Sequence, residues 1–324
     1  MKYSHFDKVS PRHLIEINDR NESMDLFRRS VTMIEVELFS YCNRRCWFCP
    51  NSYIDRISSN THMSAHIYTS IISQLAEIDY FGVITYSRYN EPLADRIILE
   101  RLAETRDLLP KAKLHANTNG DYLTIEYLAE LYDAGMRSLN IQLYLKNREK
   151  YDHAKTIKRG EQTLRRLPLP YKVTIDQPGI WYEMELEYKD MKIRLYGRNF
   201  EENGTSRGDQ VDIKRDFVRT LPCSQPVWGI YIDYNGKMVP CCNFRSDISE
   251  HASYVISDLN EYPDIFLSYS SSKAADFRRS MLTHERKSGP CSNCSFSLEE
   301  LSAERKKKIE DVLGVQSRHL MDRI

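Results

Sequence analysis

The chain of 324 residues is longer than a minimal domain needs, and it has room for one large domain plus a small one. Its 46 Lys+Arg balance 46 Asp+Glu, which excludes a net field drawing the protein to nucleic acid or an anionic membrane. No apolar run approaches the ~18–20 residues of a membrane span, and the opening MKYSHFDKVSPRHLIEINDR lacks the apolar block of a secretory signal, so a cytoplasmic address is expected.

In chain order, MIEVELF (33–39) alternates as a strand does and runs straight into the loop CNRRCWFCP (42–50). Ser64 is placed to cap a helix over about 65–78, where Ile67, Ile71, Leu75 and Ile78 recur at helical spacing. A strand at 83–86 and a helix from about 93 to 107 follow, then LHANTNG as strand and turn. A helix over 125–134 stops at Gly135, and LNIQLYL (139–145) is the next strand. Two more strands are expected at 173–175 and 191–196. Strand–helix alternation of this kind predicts parallel βαβ units, about six of them before residue 200. The fold class expected is α/β, an open, partial (β/α)6 TIM-like barrel.

Residues 197–216 are polar and rich in Gly and Asn, and read as a long loop near the barrel mouth. IYIDYNGKMV predicts a hairpin turning at Asn235-Gly236. Ser297-x-x-Glu300 has the form of a capping box, opening a helix that runs to about Leu313 before Gly314; the charge run Arg305–Lys308 on it reads as a solvated face. The boundaries expected are an N-terminal extension over 1–30, the barrel over 31–200, a linker over 201–220, a small domain over 221–296 and a terminal helix over 297–324.

Eight cysteines fall in two clusters, at 42, 46 and 49 and then at 223, 241, 242, 291 and 294. A chain this long needs no disulfide staples and shows no export signal, so two metal sites are the better reading. The spacing Cys42-x3-Cys46-x2-Cys49 offers three thiolates from one short loop. Zinc normally takes four ligands. Three thiolates on a four-iron cluster leave one iron open for a ligand, which points to a catalytic cluster. Cys223, Cys241, Cys291 and Cys294 are four separated thiolates that suit a structural zinc or a fully ligated cluster.

The CX3CX2C motif directly after a first strand resembles the radical S-adenosylmethionine (SAM) superfamily, whose fold is a partial βα barrel. The resemblance implies that Cys42, Cys46 and Cys49 hold a [4Fe–4S] cluster whose open iron is chelated by SAM. Reductive cleavage then gives a 5′-deoxyadenosyl radical that abstracts hydrogen from substrate. Phe48 matches the family's aromatic residue near the adenine. Glu91-Pro92, preceded by Tyr89 and Asn90 where the family has two glycines, resembles the Gly-Gly-Glu-Pro-like motif, with Glu91 and Asn90 at the SAM amino group. Asn117-Thr118-Asn119-Gly120 is similar to the family's Thr-Asn-Gly turn beside SAM and substrate, and Gln142 stands at its ribose contact. Cys223, Gly236, Cys241 and the pair Cys291/Cys294 resemble the SPASM/twitch extension. That implies a small C-terminal domain with an auxiliary [4Fe–4S] cluster at those four cysteines, assisting electron transfer. A flavodoxin- or ferredoxin-type electron donor is implied as partner, with no nucleic acid and no membrane.

Cys242 is the cysteine left over. It reads either as a small buried neighbour of a ligand, its side chain turned away from Cys241 if the strand continues, or as a hydrogen-atom donor to substrate. Tyr86, Arg88, Asn117 and Tyr144 at strand ends, and Arg207 in the 197–216 loop, are candidate substrate contacts; His115 reads as an interior histidine. The activity expected is hydrogen abstraction from a small polar metabolite of sugar, aminocyclitol or nucleoside type. The alternatives are a peptide-modifying maturase or epimerase, which the short stretch of 41 residues before Cys42 disfavours, and a non-catalytic cluster- or zinc-binding protein.

Overall fold

Alternating apolar residues build strands that a single sheet collects. The computed structural model describes residues 4–321. Among them are β1 (Met33–Val36), β2 (Val83–Thr85), β3 (Lys113–Thr118), β4 (Ser138–Gln142), β5 (Tyr171–Gln177), β6 (Trp181–Tyr188), β7 (Met191–Arg198), β8 (Gly229–Ile232), β9 (Lys237–Val239) and β10 (Ser257–Asp258). They lie in the order β10-β9-β8-β1-β2-β3-β4-β7-β6-β5. The six central strands, β8 to β7 in that order, run parallel, and each flank turns antiparallel. Helices α1 (Arg20–Ser30), α2 (Ala65–Glu77), α3 (Ile97–Leu108), α4 (Ile125–Ala134) and α5 (His153–Arg166) accompany the first half of the chain.

The count of six parallel strands agrees with a partial barrel, but its construction differs from six consecutive βα units. Only four units, β1α2 to β4α5, are built in sequence. After α5 the chain makes an antiparallel meander, β5-β6-β7, of which only β7 joins the parallel set, and the sixth parallel strand is β8. It arrives from residues 229–232 and pairs with β1, Glu35 opposite Tyr231. The β8–β9 hairpin turns at Asn235-Gly236 as expected, with Gly236 at φ +77° and its amide donating to the Asp233 carbonyl at 2.9 Å.

The main core lies between the sheet and its helices. Ile67, Ile71 and Leu75 of α2 are buried there against Ile34, Ile84 and Tyr86, each burial stabilising by about 2 kcal/mol. Gly135 ends α4 at φ +120°, its amide reaching the Leu131 and Tyr132 carbonyls. The expected capping box at Ser297 does not form. The last helix spans Ala303–Met321, the Arg305 amide bonds the Ser302 hydroxyl, and Gly314 is passed through without a stop. The charge run on this helix is not simply solvated. Arg305 Nε pairs with Asp7 at 2.9 Å and Lys308 donates to the Asp7 carbonyl, which fastens the helix to the N-terminal turn.

Buried His13 and half-buried His115 should make the fold acid-sensitive. His13 contacts the Ser30 hydroxyl at 2.8 Å, and burial, helped by the charge of Arg278, brings it from 6.5 to about 3. His115 lies inside the barrel between Ser138 and Asn117, and burial brings it to about 4. Both are therefore neutral in the fold, whereas the unfolded chain takes up their protons once pH drops below 6.5. Stability present at pH 7 is lost between about 6.5 and 4, at about 2 kcal/mol per histidine by pH 5. Urea midpoints of the cluster-free protein at pH 7 and 5 should differ accordingly, and His13→Asn should remove about half of the difference. Equal midpoints would mean that neither ring is held neutral.

Candidate functional site

The loops at the carboxyl ends of β1, β2, β3 and β4 enclose a cavity of about 360 Å³. Ligand pockets usually start at about this size. The cysteine loop after β1 supplies Cys42, Cys46 and Cys49, all facing the cavity, with a tight turn in which the Cys49 amide donates to the Cys46 carbonyl at 2.9 Å. Burial pushes the Cys42 thiol up to about 12 and the Cys46 thiol higher still, so both are protonated until a metal takes their protons. Among the described residues no three His, Cys, Asp or Glu side chains close around a single ion. The three thiols instead line a larger cavity, an arrangement that fits a polynuclear cluster.

Around them stand most of the residues singled out in the sequence. Glu91, after β2, is buried and raised to about 7 by that burial. Three donors oppose the rise: the amides of Asn119 at 2.8 Å and Leu93 at 3.2 Å, and the Thr118 hydroxyl. The Glu-Pro segment and the Thr-Asn-Gly turn are therefore one hydrogen-bonded unit, in which Gly120 takes φ +71°. Asn119 also donates to Asn43 of the cysteine loop at 2.8 Å, and Asn90 accepts from the Arg88 amide. Gln142 and Tyr144 are hydrogen-bonded to each other at the cavity wall. The Phe48 ring lies parallel to Phe200 with centroids 3.6 Å apart, a flat apolar face beside the thiols. Asn117 faces the cavity from β3, held by the Ser87 hydroxyl and by Asn140.

Tyr86 is a correction. It faces away from the cavity, its hydroxyl bonded to Tyr68 at 3.0 Å and to Thr105 at 2.8 Å, and burial pushes it up to about 12. The alternation of the extended chain explains this: Ile84 of β2 and Tyr86 just after it turn towards the helices, while Ser87 turns inward. Arg88 reaches the cavity, but its Nε pairs with buried Asp233 and Nη2 donates to the Phe244 carbonyl at 2.7 Å. Only Nη1 is left without a partner among the described residues.

The 197–216 segment is not a free linker. The Ser206 hydroxyl bonds Asn293 at 2.7 Å, Asn293 bonds Asp209, and His251 contacts the Gly208 carbonyl at 2.8 Å. These bonds hold Arg207 at φ +51°, a strained backbone that delivers its side chain to the cavity. No hydrogen bond or ion pair with the described residues engages that guanidinium.

A second cavity gathers Cys223, Cys241, Cys291 and Cys294. Buried Arg219 donates to the carbonyls of Cys294 at 3.2 Å, Phe296 at 2.6 Å and Pro222 at 2.9 Å, bracing the loop and placing a positive charge beside four thiols. Asn243 Nδ2 lies 3.7 Å from the Cys294 sulfur. Four thiols with a cation and a hydrogen-bond donor in support suit a fully ligated [4Fe–4S] cluster. Phe296 borders both cavities. Cys242 faces the first cavity and Cys241 the second, with their sulfurs 4.0 Å apart. The strand does not continue, since β9 ends at Val239 and Pro240 follows, so the condition for opposed side chains is not met and no strand pleat separates the two.

Several site residues escaped the sequence reading. Arg44, inside the cysteine motif, grips Asp121 with two nitrogens at 2.6 Å and so clamps the cysteine loop to the Asn-Gly turn. Glu35 and Arg198 also line the cavity. The signal for Glu35 was available, since Glu35 and Glu37 share one face of MIEVELF while Ile34 and Val36 take the other.

Residues 36–167 match the family model of the radical SAM superfamily, and residues 223–295 match SPASM, an iron–sulfur cluster-binding domain. Over 120 residues the chain is 32% identical to the S-adenosyl-L-methionine-dependent 2-deoxy-scyllo-inosamine dehydrogenase of Niallia circulans. That match covers 37% of this chain and 48% of the relative, so it spans about half of that curated protein's length. The structure of BtrN in complex with AdoMet and 2-DOIA superposes with a TM-score of 0.58 at 21% identity, covering 82% of this chain and 94% of that one. BtrN in an open conformation gives 0.54 at 20% identity, covering 84% and 98%. At such identity the likeness establishes the fold. Among the described residues no helix is long and apolar enough to cross a membrane.

Proposed function

We propose that this chain, which belongs to the radical SAM superfamily and carries a SPASM iron–sulfur domain, abstracts hydrogen from a small polar metabolite of the aminocyclitol class. SAM and [4Fe–4S] clusters are its cofactors; SAM and one cluster, bound in the first cavity, would supply reductive SAM cleavage and hydrogen-atom abstraction. The observation that carries the reading is that one cavity unites Cys42, Cys46 and Cys49 with Glu91, Asn119 and Gln142, beside a separate four-cysteine cavity. In this reading Cys42, Cys46 and Cys49 hold the first cluster. Glu91 and Asn119 orient the amino-acid end of SAM, Phe48 offers its face to the adenine, and Gln142 meets the ribose. Cys223, Cys241, Cys291 and Cys294 hold the auxiliary cluster, and a flavodoxin- or ferredoxin-type protein supplies electrons. The substrate class leans on the dehydrogenase relative.

The test is anaerobic reconstitution with SAM, reductant and 2-deoxy-scyllo-inosamine deuterated on its ring carbons. Deuterium in the 5′-deoxyadenosine formed is the expected result. Absence of 5′-deoxyadenosine overturns the enzymatic reading; its formation without deuterium overturns only the substrate class.

A second reading of the outcome is favoured by one observation, the exposure of the Cys242 thiol to the cavity. A thiol there is placed to return a hydrogen atom to the substrate, giving epimerisation in place of oxidation. Cys242→Ala should leave turnover largely intact if oxidation is the outcome. Loss of product together with loss of solvent deuterium incorporation would favour epimerisation.

A further inference from the structure

Two carboxylates line the first cavity, Glu91 and Glu35. Both oxygens of Glu91 are engaged by Leu93, Thr118 and Asn119. Glu35, on β1, is half-buried, lines the cavity, and takes no hydrogen bond and joins no ion pair with the described residues. A carboxylate held in a cavity, largely withdrawn from bulk water and without a partner, is costly, and it is tolerated where something outside the chain completes it. The groups facing it come from every neighbouring element: Arg88 after β2, Tyr231 opposite on β8, Arg207 from the 204–216 loop, Cys242 after β9, and Glu37 on its own strand. Arg88 is neutralised by Asp233, and Glu37 by Arg56 at 3.1 Å. Among the described residues, the cavity is therefore left with one uncommitted carboxylate, Glu35, and with the guanidinium groups of Arg207 and Arg198, the latter with its Nε buried and unpartnered.

We propose that Glu35 is the specificity residue of this cavity and pairs with a protonated amine of the substrate, with Arg207 donating to the substrate's hydroxyl groups. The inference rests on the small-metabolite reading above and adds the functional group that is recognised. Burial raises the Glu35 carboxyl to about 8, so it is mostly neutral at pH 7 in the free protein and ionises on meeting an ammonium group. Binding an amine thus releases a proton and tightens as pH rises from 6 to 7, by up to about tenfold.

The test is titration calorimetry on the anaerobically reconstituted protein with SAM and without reductant, in two buffers of different ionisation heat. The probes are 2-deoxy-scyllo-inosamine and the neutral cyclitol that carries a hydroxyl in place of its amine. The amine is expected to bind wild type with release of close to one proton at pH 7, and the neutral probe with none. Glu35→Gln should weaken the amine by about 30-fold or more, abolish its pH dependence, and change the neutral probe by less than about threefold. The wild-type proton count does not depend on whether the variant folds. If both probes bind wild type alike and without proton release, this inference is overturned and the cyclitol reading stands. If neither binds, that reading falls and the inference with it.

Discussion

Replacing any one of Cys42, Cys46 or Cys49 with alanine should abolish SAM cleavage, by a factor of about 10³ or more, while iron content falls only to about half. Each of the three faces the first cavity, and two thiolates hold a cubane too weakly to present an open iron. The loop itself should stay in place. Arg44 still grips Asp121, Arg56 still pairs with Glu37, and Asn51 still donates to the Tyr89 carbonyl at 2.7 Å, so the lesion is confined to the metal. The four cysteines of the other cavity share no ligand with these three, and their iron should be retained. Production of 5′-deoxyadenosine, together with iron and labile sulfide per chain, measures both halves. Cleavage retained in any one variant, or loss of all the iron, sinks the assignment of two independent sites.

Asp233→Ala is expected to cost about 3–5 kcal/mol of stability without touching a metal ligand. Asp233 is buried at the end of β8, where it accepts from Arg88 and, at 2.6 Å, from the Ser246 amide. Removing it strands a guanidinium whose side chain is fully enclosed. Replacing both partners, as Arg88→Met with Asp233→Leu, should restore at least half of the loss, because no buried charge then remains alone. Urea unfolding of the cluster-free protein reads out both variants. A cost below about 1 kcal/mol for the single change would place this pair in the class of solvated bridges.

The chemistry of the site was legible because its residues are tied to sequence spacing. Three thiolates on one loop, Glu-Pro after the second strand and Asn-Gly after the third each occupy a few adjacent positions. What depended on the parity of a strand was not. Tyr86 and Ser87 are neighbours, yet one faces helices and the other the cavity. The shared face of Glu35 and Glu37 could be read from MIEVELF, but that this face walls the cavity follows only from the barrel.

Elements were missed for comparable reasons. The inner face of α5 uses Thr156, Gly160 and Thr163 rather than large apolar residues, so it shows no apolar stripe. A Cβ on Gly160 would stand 2.7 Å from the end of the Met184 side chain, so the helix packs closely against β6 here. β6 carried a signal that went unread: Tyr182, Met184 and Leu186 alternate, after a Pro178-Gly179 turn with Gly179 at φ +77°. The entry of Arg207 into the cavity depends on contacts with residues 243–293 and had no local signature.

The pairing of β8 with β1 joins residue 229 to residue 33. During synthesis, at about 5–20 residues per second, the edge of β1 waits roughly 10–40 s for the strand that covers it. A nascent chain released at residue 220 would present an unpaired row of amides and carbonyls to other proteins, an aggregation hazard that a self-contained barrel avoids. Expression of the first 220 residues alone should therefore demand a chaperone, or yield insoluble protein.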